Sequence, residues 1–298
     1  MSPQCGKSAV NHRTGVHLRD LRSPRGLLEP CAGTTRTHGS EGRTARQRAV
    51  LTRLLGGKDN YAADREAAEQ VKQQWPTVVV ATRVNREFMR RATRFLARQG
   101  VRQFLDIGTG IPTRPNLHEI AQQVDPTARV VYVDNDPIVL THARALLVST
   151  AQGRTDYIQA DARSPQSILD SPQLGEVLDL SQPVALSLIA LLHFIPDDQN
   201  PHEIIATLAD ALAPGSYLVL SHVSSDFDPP AIRELTRIYN EQGVPLQARS
   251  REEFHQLFQG RELLEPGVVS AHRWKPDDIE PPASLDAQAS LYAAVARI

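Results

Sequence analysis

Phe104-Leu105-Asp106-Ile107-Gly108-Thr109-Gly110 is the stretch on which the reading of this chain turns. An apolar strand runs straight into a Gly-x-Gly turn, with an acid one residue in from the end of the strand. Glycines carry no Cβ, so the backbone of such a turn can close on a ligand. The stretch therefore reads as the first strand and first turn of a nucleotide-type crevice, and its surroundings must say which nucleotide.

Working outward towards the C-terminus, strand and helix signals alternate. Strands are expected at 103–107, 129–133, 156–159, 184–189 and 217–221, with helices at 116–124, 137–148 and 201–212 and a short one opened by Ser164-Pro165. Pro137 suits the first position of a helix, and the continuous apolar run at 184–189 suits a central strand covered on both faces. Alternation of this kind predicts a mostly parallel sheet between two helical layers. A helix is expected at 230–242, and the capping box Ser250-Arg251-Glu252-Glu253 starts another towards 258. Late strands are expected at 262–264, continuing through 268–274, and at 290–296. The triplet Asp228-Pro229-Pro230 reads as a loop. On the N-terminal side, Val80, Val84, Phe88, Ala92, Phe95 and Leu96 mark one face of a helix at 77–99 that closes at Gly100, and shorter helices are expected at 45–55 and 62–74.

The strand ends define the crevice. They carry Asp106, Gly108 and Gly110, then Asp134, Asp161, His193 and His222. Carboxylates lead three of the five, which opposes phosphate as the main handle. A dinucleotide fingerprint also needs glycine where this chain has Thr113, and Pro112 interrupts the turn. S-adenosylmethionine (SAM) has no phosphate but carries an ammonium, a ribose diol and an adenine amine. Asp106, Asp134 and Asp161 could face these in turn.

Composition narrows the remaining classes. Of 298 residues, 41% are hydrophobic, enough for a substantial core. The longest apolar run, 184–195, is too short for a bilayer that needs ~20 residues, so the expectation is a cytoplasmic protein without a membrane partner. Residues 1–50 carry a net +6 and the remainder −7. The basic part is poor in hydrophobic residues and reads as a disordered tail, a transit peptide, or a chain start placed too far upstream. With an acidic body, no nucleic-acid partner is expected. Both cysteines, Cys5 and Cys31, lie in the tail, and the ten histidines include no metal-binding spacing, so no metal site is expected.

Several segments together resemble class I SAM-dependent methyltransferases, and more closely a family of methyltransferases abundant in actinomycetes. They are Leu54-Leu55-Gly56-Gly57-Lys58-Asp59-Asn60-Tyr61, Asn85-Arg86, the opening stretch, and Val131-Tyr132-Val133-Asp134-Asn135-Asp136-Pro137. Leu192-His193-Phe194-Ile195-Pro196-Asp197-Asp198, Ala213-Pro214-Gly215-Ser216-Tyr217-Leu218, Ser221-His222 and His272-Arg273-Trp274 extend the match over roughly residues 45 to 298. The resemblance implies an α/β fold with a Rossmann-like sheet, mostly parallel with an antiparallel C-terminal strand and helices on both faces. It divides the chain into a tail (1–43), an N-terminal helical lid (44–100) and a SAM-binding domain (101–298).

The expected cofactor site comprises Asp106, Gly108, Thr109, Gly110, Asp134, Asn135, Asp161, Ala162, Tyr61 and Arg86. His193 and His222 are the candidates for proton transfer. The expected activity is SAM-dependent O- or N-methylation of a small molecule. A non-catalytic SAM-binding sensor and, more remotely, an NAD-dependent oxidoreductase are the alternatives. Neither the acceptor nor the oligomeric state is legible.

Overall fold

The computed structural model describes residues 76–298 apart from 111, 147 and 278–281. The basic tail, the helices expected at 45–55 and 62–74, and Tyr61 lie outside the described residues.

Helix α1 (Val78–Arg98) precedes β1 (Gln103–Ile107). There follow α2 (Leu117–Val124), β2 (Arg129–Asp134), α3 (Pro137–Leu146) and β3 (Arg154–Gln159). Two short helices, α4 (Pro165–Leu169) and α5 (Pro172–Val177), lead to β4 (Val184–Ile189), α6 (Pro201–Asp210) and β5 (Tyr217–Val223). The chain ends with α7 (Pro229–Glu241), α8 (Arg251–Gln256), β6 (Val269–Ser270), α9 (Ser284–Ala289) and β7 (Leu291–Arg297). Seven strands form one sheet in the order β3-β2-β1-β4-β5-β7-β6. The first five are parallel, β7 runs antiparallel to β5, and β6 antiparallel to β7.

The sheet divides the core in two because successive side chains on a strand point to opposite faces. Phe104, Val130 and Ala185 face one layer with α1 and α2, while Leu105, Val131 and Leu186 face the other with α6 and α8. All six are at most 1% exposed, so the central strands need apolar residues at every position. Helix α1 is fastened to its face by Trp274, whose ring meets Phe88 and Phe95 edge-on at 5.5 and 5.7 Å. Arg91 of α1 donates from Nε to the Trp274 carbonyl (2.9 Å) and from Nη2 to that of Ala271 (2.8 Å). The His272-Arg273-Trp274 segment thus holds the helix that carries Asn85 and Arg86.

Four expectations need correction. Pairing with β7 carries β5 on to Val223, opposite Leu291, so His222 lies inside the strand and not after it. Asp228-Pro229-Pro230 is not a loop: Asp228 caps α7 by accepting the Ala231 N–H (3.2 Å), and the two prolines occupy positions where no N–H is needed. Helix α5 was not expected, and begins at Pro172 after Ser171. The late strand at 262–274 reduces to β6 and one bridge between Leu263 and Ala296. No helix among the described residues is long and apolar enough to cross a membrane.

Candidate active site

The sheet order places β1 between β2 and β4, and the chain proceeds outward from this pair in both directions. Helices cannot cover the carboxyl ends of the strands at that switch point, which leaves a crevice. A cavity of about 250 Å³ lies there.

The polar end of the cavity is built by the glycine turn. Gly108 and Gly110 have φ of +79° and +66°, a region that costs other residues ~1–2 kcal/mol. A Cβ on Gly108 would sit 2.8 Å from Leu191 Cδ1, so the loop after β4 packs directly on the turn, whereas a Cβ on Gly110 would meet nothing within 4 Å. Asp134, 2% exposed, fixes the turn: its Oδ2 accepts the Gly110 N–H (2.9 Å) and its Oδ1 the Asp136 N–H (3.0 Å). Gly108, Thr109, Gly110, Asp134, Asn135, Asp161, Ala162 and Arg86, all expected on sequence grounds, line this one cavity.

Asp161 is held differently from Asp134. Its Oδ1 accepts from the Arg163 backbone and Nε (both 2.9 Å), and its Oδ2 from Arg163 Nη2 (2.6 Å) and Asn135 Nδ2 (3.3 Å). Burial works to raise its pKa, but the Arg163 and Asn135 hydrogen bonds outweigh that and hold it below the usual range.

A smaller cavity of about 90 Å³ adjoins the first, sharing Asn85, Arg86, Gly108 and Thr109, and adds Asp106 to its wall. Burial pushes the Asp106 carboxyl up to about 7, against the pull of the Arg86 guanidinium. Arg86 donates from Nη2 to the Pro115 carbonyl (2.9 Å), while its buried Nε has no partner. Beside it, Asn85 Oδ1 accepts from Ser221 Oγ (2.6 Å), joining α1 to β5.

The raised Asp106 pKa fixes the sign of a pH effect. The folded state holds an extra proton between the ordinary carboxylate range and about 7. This group's contribution to stability is therefore complete at low pH and is lost as pH rises towards 7. His193 and His222, both depressed, give the opposite slope, so the readout is a comparison with Asp106→Asn. The Tm of the parent, taken relative to that of the Asn variant, should fall between about pH 4 and about pH 7. A constant difference would show that Asp106 does not titrate in this window.

The other end of the cavity is apolar, walled by Val223, Leu235, Tyr239, Pro245, Leu246 and Leu291, with Phe194 and His193 from the loop after β4. Phe194 and Tyr239 stack with centroids 6.1 Å apart and planes at 30°. Burial raises the Tyr239 hydroxyl to about 12, and burial and the Arg249 charge lower His193 to about 3. His193 is therefore neutral, and its Nδ1 has no hydrogen-bond partner.

His222 does not share this position. It is fully buried away from the cavity wall; its Nδ1 meets the Val223 carbonyl (2.7 Å) and its Nε2 meets Arg249 Nη1 (2.6 Å). With both ring nitrogens engaged it has none to offer an acceptor. Arg249, 1% exposed and not anticipated from sequence, also donates to the carbonyls of Leu192 and Ile195 (both 3.1 Å) and to Asp197 Oδ1 (2.6 Å). It ties the His193 loop to β5.

This donor set fits SAM and does not fit a phosphate ligand. A buried carboxylate beside an open glycine backbone suits a ribose diol, and neighbouring groups of opposite sign, Asp106 and Arg86, suit a zwitterionic amino acid end. Among the described residues no cluster could hold a metal ion.

Comparison with known proteins agrees. Residues 36–298 match the family described as S-adenosyl methyltransferase. No curated protein matches the chain. The solved structure of a DUF574 family protein from Streptomyces avermitilis is 47% identical, with a TM-score of 0.81, covering 84% of this chain and 96% of its own. That of a protein from Thermobifida fusca assigned as a methyltransferase is 41% identical, with a TM-score of 0.78, covering 84% and 93%. Carboxylates at the ends of neighbouring strands, a glycine turn open to the cavity and this breadth of similarity converge: the chain belongs to the S-adenosyl methyltransferase family and is a SAM-dependent methyltransferase.

Proposed function

We propose that the enzyme methylates a small molecule at an oxygen or nitrogen atom. The observation that carries this is the continuity of the cavity: the polar end at Asp134 and the apolar end at Tyr239 belong to one cavity among the described residues. A small acceptor can reach the cofactor end through such a space. The net −7 of residues 51–298 opposes nucleic acid as the acceptor.

In this reading Asp134, which also accepts the Gly110 and Asp136 N–H groups, would hold the ribose hydroxyls. Asp106 faces the cofactor's ammonium and Arg86 its carboxylate. Asn135, Asp161 and Ala162 would border the adenine, and Asp161 would accept from its amine in place of its long bond from Asn135, the weakest of the four it accepts. The bound cofactor supplies a sulfonium-activated methyl group. The protein's part is to align the acceptor with that methyl and keep water out, which α1 and the apolar wall accomplish. His193 is the group at the acceptor end placed to hydrogen-bond the acceptor, and His222 supports its loop through Arg249.

Methyl-labelled SAM incubated with the enzyme and a deproteinised Streptomyces metabolite extract should give a labelled product of low mass. Label recovered only in added protein or nucleic acid would overturn the reading.

A further inference from the structure

The distribution of charge along the cavity says what kind of acceptor it takes. Every carboxylate and guanidinium among the described wall residues, namely Asp134, Asp161, Arg86 and Arg163, belongs to the cofactor end. The acceptor end holds two titratable side chains, His193 and Tyr239, both neutral at physiological pH. Among the described residues Arg249, the cation whose charge acts on His193, is spent on Leu192, Ile195, His222 and Asp197. An acceptor with a carboxylate or an ammonium would leave its charge there without a partner among the described residues, at a cost of several kcal/mol.

Two features favour a ring with a polar substituent. Phe194 and Tyr239, stacked on each other with planes 30° apart, put two aromatic rings in the wall, and apolar rings pack against such side chains. His193 is 5% exposed, lines the cavity and keeps hydrogen-bonding capacity that the protein does not use, since its Nδ1 is without a partner. A buried polar group left unsatisfied by the fold is accounted for when a ligand supplies the missing bond.

We propose that the methyl acceptor is an uncharged, largely apolar ring compound that presents a hydroxyl to His193 and packs its ring on Phe194 and Tyr239. This rests on the reading of the cavity as a joint cofactor and acceptor site, so the test measures the two ends separately.

The full chain is titrated by calorimetry with S-adenosylhomocysteine (SAH). The saturated complex is then titrated with naphthol, hydroxynaphthoate and hydroxynaphthylmethylammonium. Naphthol should bind, each charged analogue at least about tenfold more weakly, and Tyr239→Ala should weaken naphthol about tenfold while leaving SAH affinity unchanged. Either charged analogue binding as tightly as naphthol, or naphthol failing to bind the SAH complex, overturns the proposal with the cofactor reading intact. Failure of SAH itself to bind overturns the cofactor reading, and the proposal with it.

Discussion

Replacing Asp134 with Ala should lower the affinity for SAH about a hundredfold. A hydrogen bond to a charged group contributes ~1.5–3 kcal/mol, and losing two ribose bonds at the low end of that range removes about 3 kcal/mol, or two decades in Kd. The carboxylate has a second task, since it accepts the N–H groups of Gly110 and Asp136. Removing it leaves two backbone donors unpaired at ~1–3 kcal/mol each, so the variant should also lose stability. The two losses are separable: thermal unfolding without ligand reports the turn, and the rise in Tm on adding SAH reports the diol contact. Asp134→Asn should not rescue either. Its amide nitrogen would have to face the N–H of Gly110 or of Asp136, donor against donor. A folded Ala variant that binds SAH within about threefold of the parent would remove Asp134 from the cofactor contacts.

Asp134 could be located from sequence because its signals are local. A strand ending in an acid, followed by a helix-starting proline, can be read within a few residues, and the same holds for Asp106, the glycine turn and Asp161. The parallel strands were legible for a related reason: burial on both faces demands apolar runs, and β1 and β4 have the bounds their runs suggest. The apolar end of the cavity had no such signature. Phe194 comes from the loop after β4, Tyr239 from α7 and Leu246 from beyond it, and only tertiary packing brings them to one wall. His222 was misplaced because the end of β5 is set by a partner strand about seventy residues later in the chain. Arg249 was invisible altogether, since what makes it special is the set of carbonyls around it.

Arg249→Ala should cost about 3–5 kcal/mol of stability, comparable to the loss on breaking a buried ion pair. That pairing is not the main reason for the size of the effect. Asp197 is 63% exposed on its side chain, and an ion pair with one solvated partner contributes about 0–1 kcal/mol. The larger part comes from the Ile195 carbonyl and His222 Nε2, which would lose the Arg249 donor, and from the Leu192 carbonyl, which would keep only the Ile195 N–H. Asp197→Asn should therefore be nearly silent in a urea unfolding midpoint, while Arg249→Ala and the volume-filling Arg249→Met should both shift it strongly. Arg249→Lys should fall between, because an ammonium keeps the charge but cannot fork to two carbonyls, an imidazole and a carboxylate at once. If the reverse ranking were found, with Asp197→Asn as damaging as Arg249→Ala, the ion pair and not the carbonyl clamp would hold the loop. The clamp also predicts where the damage shows first. Amide exchange in residues 192–197 should accelerate in Arg249→Lys before that in β4 or β5, because the guanidinium is what joins this loop to the sheet. His193 and Phe194 lie within that segment, so loosening it removes part of the apolar wall while the glycine turn and Asp134, held by their own hydrogen bonds, stay in place.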